Sequence, residues 1–311
     1  MLDIVVVNWN AGNQLKDCIE SILSCNSKSI SRIVVVDNGS TDGSLALVEG
    51  LPGVEVIRTE KNLGFAAACN IGAKAGNAPY ILFLNPDTRL EQNSISEPLD
   101  FMERRENAEV GVCGIQLLDD SGEITRTCAR FPTTGRFVAS ALGLDRLPGL
   151  QRRGVHMRDW DHRVSRKVDH VIGAFYMIRR TVFETLGAFD EVFFVYLEDV
   201  DLSYRVNRAG WDSWYLANVR AVHVGGGTSR QVKAKRLFYS VRSRLLYAFK
   251  HFPTWQAWWL IVVAGLVEPF IRTGWCIFRR DTAGVRETWS AVYMLLRSMP
   301  RIVRGEGRCD P

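Results

Sequence analysis

The sequence predicts an α/β fold with an open, doubly wound, mostly parallel sheet, and three observations carry that prediction. Ile4-Val-Val-Val7 and Ile33-Val-Val-Val36 are short, continuous, β-branched runs, the signature of strands buried on both faces. Between them, residues 14–24 place Leu15, Cys18, Ile19, Ile22 and Leu23 at helical spacing, which makes a βαβ unit with parallel strands. Polar clusters, Asp37 to Asp42 and Asn85-Pro-Asp-Thr88, follow two of the apolar runs, and open α/β sheets bind their ligands beyond the carboxyl ends of their strands.

Taken in order, the second strand ends in Asp37-Asn-Gly-Ser-Thr-Asp-Gly-Ser44, with a helix expected from there to Glu49. Residues 54–58 and 80–84 read as strands flanking a helix over 64–76. A helix over 94–105 and a strand over 110–117 follow. Residues 126–166 are rich in Arg, Gly and Pro and show no period, so they read as a long segment over the site. Residues 168–178 return to strand character, and Gly173-Ala174 admits a close backbone approach. A short helix over 181–186 precedes Val192-Phe-Phe-Val195, and Leu202, Val206 and Ala209 predict a helix over 200–207. Residues 213–216 and 219–224 are the last strands, ending in His223 and Gly225-Gly-Gly227. This gives a catalytic-type α/β domain over 1–228 and a helical, apolar and basic extension over 229–311.

Composition narrows the function classes. The 311 residues are 47% hydrophobic and 23% charged, which is globular, and the formal charge is +5. The excess lies in the last quarter: from Thr228 onward, 15 Lys and Arg stand against 5 Asp and Glu, which points to an anionic partner there. The tail is too apolar, and too free of any recognised motif, for nucleic acid. Seven cysteines, Cys18, Cys25, Cys69, Cys113, Cys128, Cys276 and Cys309, form no CxxC pair and no metal-ligand spacing, which fits a reducing cytoplasm. No charged and apolar leader precedes the first strand, so a cleaved signal peptide is not expected.

The chemistry-bearing stretches are few. After the first strand stands Asn8-Trp-Asn-Ala-Gly12, which is neither a GxGxxG dinucleotide turn nor the basic, glycine-rich phosphate loop of a sugar-phosphate nucleotidyltransferase. Asp37 to Ser44 has turn-forming residues, yet at the mouth of the sheet the Asp37 carboxylate can accept from a pyrimidine N3–H. Glu198, Asp199 and Asp201 crowd three carboxylates onto the first turn of the expected helix, where the dipole favours them. The same geometry suits a carboxylate base beside an apolar wall, poised to take a hydroxyl proton. Arg205, one turn beyond Asp201, is a natural ion-pair partner.

Six motifs in order, Val36-Asp-Asn-Gly-Ser-Thr-Asp42, Asn62-Leu-Gly-Phe-Ala-Ala-Ala68 with Asn70, Leu84-Asn-Pro-Asp87, Gly187-Ala-Phe-Asp190, Glu198-Asp-Val-Asp201 and His223, resemble the inverting, nucleotide-sugar-dependent glycosyltransferases of family 2, with the GT-A fold. The likeness covers about residues 1–228 and lies nearest to bacterial rhamnosyltransferase-like enzymes of cell-surface polysaccharide synthesis. It implies a hexosyltransferase that moves a sugar, expected to be L-rhamnose from dTDP-rhamnose, onto a glycan or polyprenyl-linked acceptor. By the same resemblance Asp199 is the catalytic base, with Glu198 second to it. Asp37 is the base-binding aspartate, with Asn8, Asn38, Asn62 and Asn85 as further donor-binding candidates. Asp87 stands at the last position of the family's DxD motif, and His223 at a position that completes the metal site. Asn85 departs from the pattern where an aspartate often stands, so one carboxylate ligand is missing. A neutral carbonyl oxygen and the diphosphate oxygens still suit Mg²⁺ or Mn²⁺. The competing classes are a catalytically inactive, membrane-associated sugar-nucleotide-binding protein and a nucleotidyltransferase.

Residues 255–278 carry Trp255, Trp258, Trp259 and Trp275, interrupted by Glu268-Pro269 and Arg272. Each half is shorter than the roughly 20 residues that cross a bilayer. The favoured reading is an interfacial element at the inner face of the plasma membrane, with a kinked span and a buried packing helix as alternatives. A homo-oligomer is compatible with the sequence.

Overall fold

The computed structural model describes residues 1–25, 27–225 and 233–306. The expected 228/229 boundary, together with Gly226, Gly227 and Cys309, lies outside them. In chain order the elements begin β1 (Leu2–Asn8), α1 (Asn13–Ser24), β2 (Ile30–Asp37), β3 (Val54–Arg58), α2 (Phe65–Lys74), β4 (Tyr80–Leu84), β5 (Thr88–Leu90), α3 (Ser96–Glu103) and β6 (Val110–Leu118). They continue with α4 (Thr134–Ala141), β7 (Arg166–Val168), β8 (Phe175–Arg179), α5 (Arg180–Thr185), α6 (Glu198–Arg208), β9 (Asp212–His223), α7 (Lys233–His251), α8 (Thr254–Val262), α9 (Glu268–Phe278) and α10 (Thr282–Val303). The chain divides into two compact units. One comprises Met1–Ala129, Trp160–Asp190 and Asp199–Thr228, the other Arg130–Asp159, Glu191–Glu198 and Ser229–Pro311.

The first unit holds a nine-stranded sheet in the order β3-β2-β1-β4-β8-β6-β9-β5, with β7 paired to β9. Pairing is parallel through β3-β2-β1-β4 and again at β6-β9. It is antiparallel where β8 inserts between β4 and β6. Every residue of β1 and β4 is buried, which is why their sequences read as unbroken apolar runs. α1 packs Leu15, Cys18, Ile19 and Ile22 into the core formed with Ile4, Val6 and Leu82. The amino-terminal end of β1 is closed by a buried pair: Arg180 Nη2 donates to Asp3 Oδ2 at 2.9 Å, and the same guanidinium donates to the Ala73 and Ala78 carbonyls. The carboxyl ends of the strands carry Asn8, Asp37 and, just past β4, Asn85 and Asp87.

Several expected elements differ. Residues 168–178 are not one strand: β7 and β8 are separated, because the Gly173 amide between them bonds outside the sheet. Residues 213–216 and 219–224 form the single strand β9, whose register against β6 shifts between Ile115 and Gln116. A 3₁₀ turn, Ser44–Leu47, replaces the helix expected up to Glu49. The aperiodic segment 126–166 contains α4, capped by the Thr133 hydroxyl, which accepts from the Arg136 amide.

The second unit is helical. Glu268-Pro269 does not break the chain, because a π-helical turn, Val263–Val267, carries α8 into α9. Pro269, which has no N–H to give, stands just past that turn, where the regular i→i−4 ladder is already interrupted. Glu268 is buried and accepts from Arg244 Nη2 at 2.6 Å and Arg272 Nε at 2.9 Å. Burial alone would push its carboxyl up, but Arg244 and then Arg272 outweigh that and hold it below the usual glutamate range. A depressed folded pKa means that the stability it contributes is present above the unfolded value and lost as pH falls through the folded one. Glu268→Ala is therefore expected to destabilise this unit by about 3 kcal/mol, chiefly by stranding Arg244, since the more exposed Arg272 is screened by solvent. Thermal melts at pH 7 and pH 3 check this: the gap between variant and wild type should narrow in acid.

Candidate active site

β1 and β2 end in register, Asn8 opposite Asp37. Asn8 is fully buried, and its Nδ2 donates to Asp37 Oδ1 at 2.7 Å, to Ser44 Oγ at 2.9 Å and to Ser40 Oγ at 3.1 Å. Asn8 thus orients Asp37 and ties down the Ser40–Ser44 turn, leaving no surface of its own for a ligand. Gly39 has φ +75°, and a Cβ there would stand 2.8 Å from the Lys61 backbone, so only glycine lets the two loops close. Asn38 fastens them: its Nδ2 donates to Asn62 Oδ1 at 3.0 Å, and its Oδ1 accepts from the Leu63 amide at 2.8 Å. Asn38 is buried and Asn62 half-buried, so both brace the loop that follows Asp37.

Past β4 the chain turns at Asn85–Asp87, and β5 then pairs antiparallel with the end of β9, Thr88 opposite His223. That pairing sets His223 Nε2 at 3.3 Å from Asp87 Oδ1. Asp87 Oδ1 is buried yet accepts no hydrogen bond, so carboxylate and imidazole sit close without bonding each other. An orphaned carboxylate oxygen beside a nitrogen donor fits a divalent cation held between them. Among the described residues no group of three His, Cys, Asp or Glu could hold a metal, so Asp87 and His223, with half-buried Asn85 two residues before Asp87, are the candidate protein ligands at this corner.

α6 begins at Glu198, ahead of the start expected at Val200, and its entry is strained: Tyr196 has φ +69° and Leu197 φ +66°. The three acids have different fates. Asp201 is fully buried and paired with Arg205 at 2.8 Å, while Arg205 Nη2 also donates to the Ala188 carbonyl. Asp201 and Arg205 therefore secure the Gly187–Asp190 loop, which Asn70 grips from the other side through both the N–H and the carbonyl of Phe189. Glu198 is buried at the helix start. Asp199 alone of the first-unit acids on this turn keeps part of its side chain, 14%, open to solvent. Its Oδ2 accepts from the Gly173 amide at 2.8 Å and its Oδ1 from the Val200 amide at 2.8 Å.

The Gly173 contact explains the broken strand. An amide given to Asp199 cannot serve a sheet ladder, and a Cβ at Gly173 would meet Asp199 Oδ2 at 3.1 Å. The neighbouring Ala174 carbonyl accepts from the Asn85 amide at 3.1 Å and from Thr88 Oγ1 at 3.3 Å. Asp199 and the Asn85–Thr88 turn are thus tied to adjacent residues of one segment. Sequence reasoning missed three residues here: His170, whose Nε2 lies 3.5 Å from Asp199 Oδ2, and Ser203 and Tyr176 behind it. A histidine inside an apolar run carries no periodic signal. The cysteines behave as small hydrophobes: Cys18, Cys113 and Cys128 are buried, and burial pushes their thiols up.

A family model described as glycosyl transferase family 2 matches residues 3–187. The chain is 28% identical over 270 residues to N-acetylglucosaminyl-diphospho-decaprenol L-rhamnosyltransferase of Mycobacterium tuberculosis (strain ATCC 25618 / H37Rv), covering 83% of this chain and 87% of that protein. Among solved structures, GalNAc-T7 with UDP, GalNAc and Mn²⁺ superposes with TM-score 0.56 at 18% identity, over 78% of this chain but only 47% of that one. Mannosyltransferase PcManGT from Pyrobaculum calidifontis, solved with GDP-Man and Mn²⁺, superposes with TM-score 0.54 at 12% identity, over 97% of this chain and 80% of that one. With the family model spanning more than half of its length on a GT-A fold, the chain belongs to glycosyl transferase family 2, as a rhamnosyltransferase-like, nucleotide-sugar-dependent enzyme.

Proposed function

We propose that the protein is an inverting transferase that moves L-rhamnose from dTDP-L-rhamnose to a glycan or polyprenyl-diphosphate-linked acceptor. The observation that carries this reading is the shared tether: Asp199 and the Asn85–Thr88 turn hang from adjacent residues, Gly173 and Ala174, at one end of the sheet. Asp37 accepts from the pyrimidine, held in place by Asn8. Asp87 and His223 would hold a divalent cation, which when bound would supply Lewis-acid neutralisation of the diphosphate leaving group. An imidazole beside a carboxylate suits Mn²⁺ better than Mg²⁺. Asp199 takes the proton of the attacking acceptor hydroxyl from the face opposite the leaving group, so the anomeric centre inverts. The M. tuberculosis relative's name supplies the donor sugar and the diphospho-prenol acceptor class.

A panel of nucleotide sugars tests this: hydrolysis or transfer with Mn²⁺ should be fastest for dTDP-L-rhamnose and should stop with EDTA. Binding of the donor without turnover under any metal would instead mark an inactive binding protein.

The acceptor class fits the second unit. Thr254–Phe278 is a 25-residue apolar helix whose most apolar 18-residue stretch has mean hydropathy 1.6 and is 28% buried. One side packs Ala257, Leu260, Val263, Ala264 and Glu268 into the unit; the other exposes Trp255, Trp258, Trp259, Leu266, Phe270 and Trp275. α10 adds exposed Trp289, Tyr293 and Leu296. A helix packed along one side and bonded through Glu268 to charged α7 is suited to lie in a membrane interface rather than cross it. Arg279 over Trp275 at 4.7 Å and Arg297 over Tyr293 at 4.9 Å bring cations to the same level, as a peripheral site on anionic lipid at the inner membrane face requires. Wild-type protein is expected to co-sediment with phosphatidylglycerol vesicles at low salt. Trp255, Trp259 and Phe270 changed together to Ser should weaken that binding on the order of 100-fold or more. Equal binding by the two proteins would refute the interfacial face.

A further inference from the structure

His170 lies in the gap between β7 and β8, buried to 3% exposure. A backbone bridge to Ala129 fixes its main chain. Its Nδ1 is 2.9 Å from Ser203 Oγ on α6, and Ser203 Oγ is 3.0 Å from the hydroxyl of fully buried Tyr176 on β8. Its Nε2 lies 3.5 Å from Asp199 Oδ2, on the oxygen that also accepts from Gly173. The charged groups that face this line from α6 are Asp199, Asp201 and Arg205, and the last two are paired with each other.

Burial pushes the Tyr176 phenol well up, so it stays protonated throughout the working range, and across its 3.0 Å contact with Ser203 either hydroxyl can donate. Tyr176 giving its proton to Ser203 Oγ leaves the Ser203 hydroxyl free to donate to His170 Nδ1. A histidine that accepts at Nδ1 carries its proton on Nε2, facing Asp199.

We propose that His170 is a positioning residue for Asp199: a neutral imidazole, fixed as the Nε2–H tautomer by Ser203 and Tyr176, that aims the carboxylate at the arriving acceptor hydroxyl. This rests on Asp199 being the base.

The test uses His170→Leu, His170→Gln and Ser203→Ala in the full chain with dTDP-L-rhamnose and Mn²⁺. His170→Leu should lower kcat about 10-fold or more and leave donor KM unchanged. His170→Gln, which keeps an N–H donor, should recover part of the loss, and Ser203→Ala should fall between. Nitrogen-15 histidine spectra of the wild-type protein give a readout that needs no turnover and no leucine variant to fold: the His170 signals should be those of the Nε2–H tautomer. An Nδ1–H tautomer, an unchanged kcat in His170→Leu, or a glutamine variant no better than leucine would overturn the proposal. Wild-type turnover in Asp199→Asn would instead remove the base itself.

Discussion

Asp199→Asn is expected to lower kcat by about 10³-fold, within the range that a positioned general base contributes, while donor affinity changes by no more than about twofold. The substitution is nearly isosteric. An amide oxygen can still accept from the Gly173 amide, so the segment that also holds the Asn85–Thr88 turn stays in place. With the amide oxygen kept on Gly173, what disappears is the proton-accepting capacity and the bond from the Val200 amide at the helix's own first turn. Asp201→Asn, on the same helix, should behave in the opposite way. Asp201 is fully buried against Arg205, so its loss leaves a half-buried guanidinium without its counter-charge and loosens the Gly187–Asp190 loop. Thermal stability falls there before chemistry does. Steady-state kinetics with melting curves separates the two acids.

Asp87→Ala is expected to cost on the order of 10³-fold in kcat/KM, because under the proposed function it removes the carboxylate that would hold a cation offsetting the charge of the leaving diphosphate. Donor KM should rise as well, which Asp199→Asn does not cause. The effect on the metal-free protein runs the other way. Asp87 Oδ1 is buried and accepts no hydrogen bond, so taking it away relieves a desolvated oxygen and should leave stability unchanged or raise it by about 1 kcal/mol. Melting curves check both halves: Mn²⁺ with dTDP should raise the wild-type Tm and leave that of Asp87→Ala where it was. An equal rise in both proteins would place the cation elsewhere.

The parallel half of the sheet was legible because β1, β2 and β4 are central strands, covered on both faces, and only apolar residues suit them. Site positions at the strand ends were legible for the same reason: Asp37, Asn85 and Asp87 are the first polar residues after those runs. What escaped was set by tertiary contacts. The strand expected over 168–178 is interrupted because Asp199 takes the Gly173 amide, and nothing local to 168–178 announces a helix arriving 26 residues later. β5 is three residues long, too short to show alternation, yet it is the element that brings His223 to Asp87. Asn8 reads as a donor-binding residue from its place after β1, but its amide is consumed in orienting Asp37 and the following turn. In the second unit, Glu268-Pro269 reads as a break on sequence, whereas a π-helical turn just before the proline and a carboxylate held by two arginines let the helix continue.

A crystal structure of Asp199→Asn with dTDP-L-rhamnose and Mn²⁺ bears on each of these site residues at once. The pyrimidine should rest on Asp37, the cation should touch Asp87 and His223, and the exposed face of the anomeric carbon should look toward residue 199. A nucleotide seated away from the ends of β1, β2 and β4, or a sugar with residue 199 behind its diphosphate, would contradict an inverting transfer with Asp199 as its base.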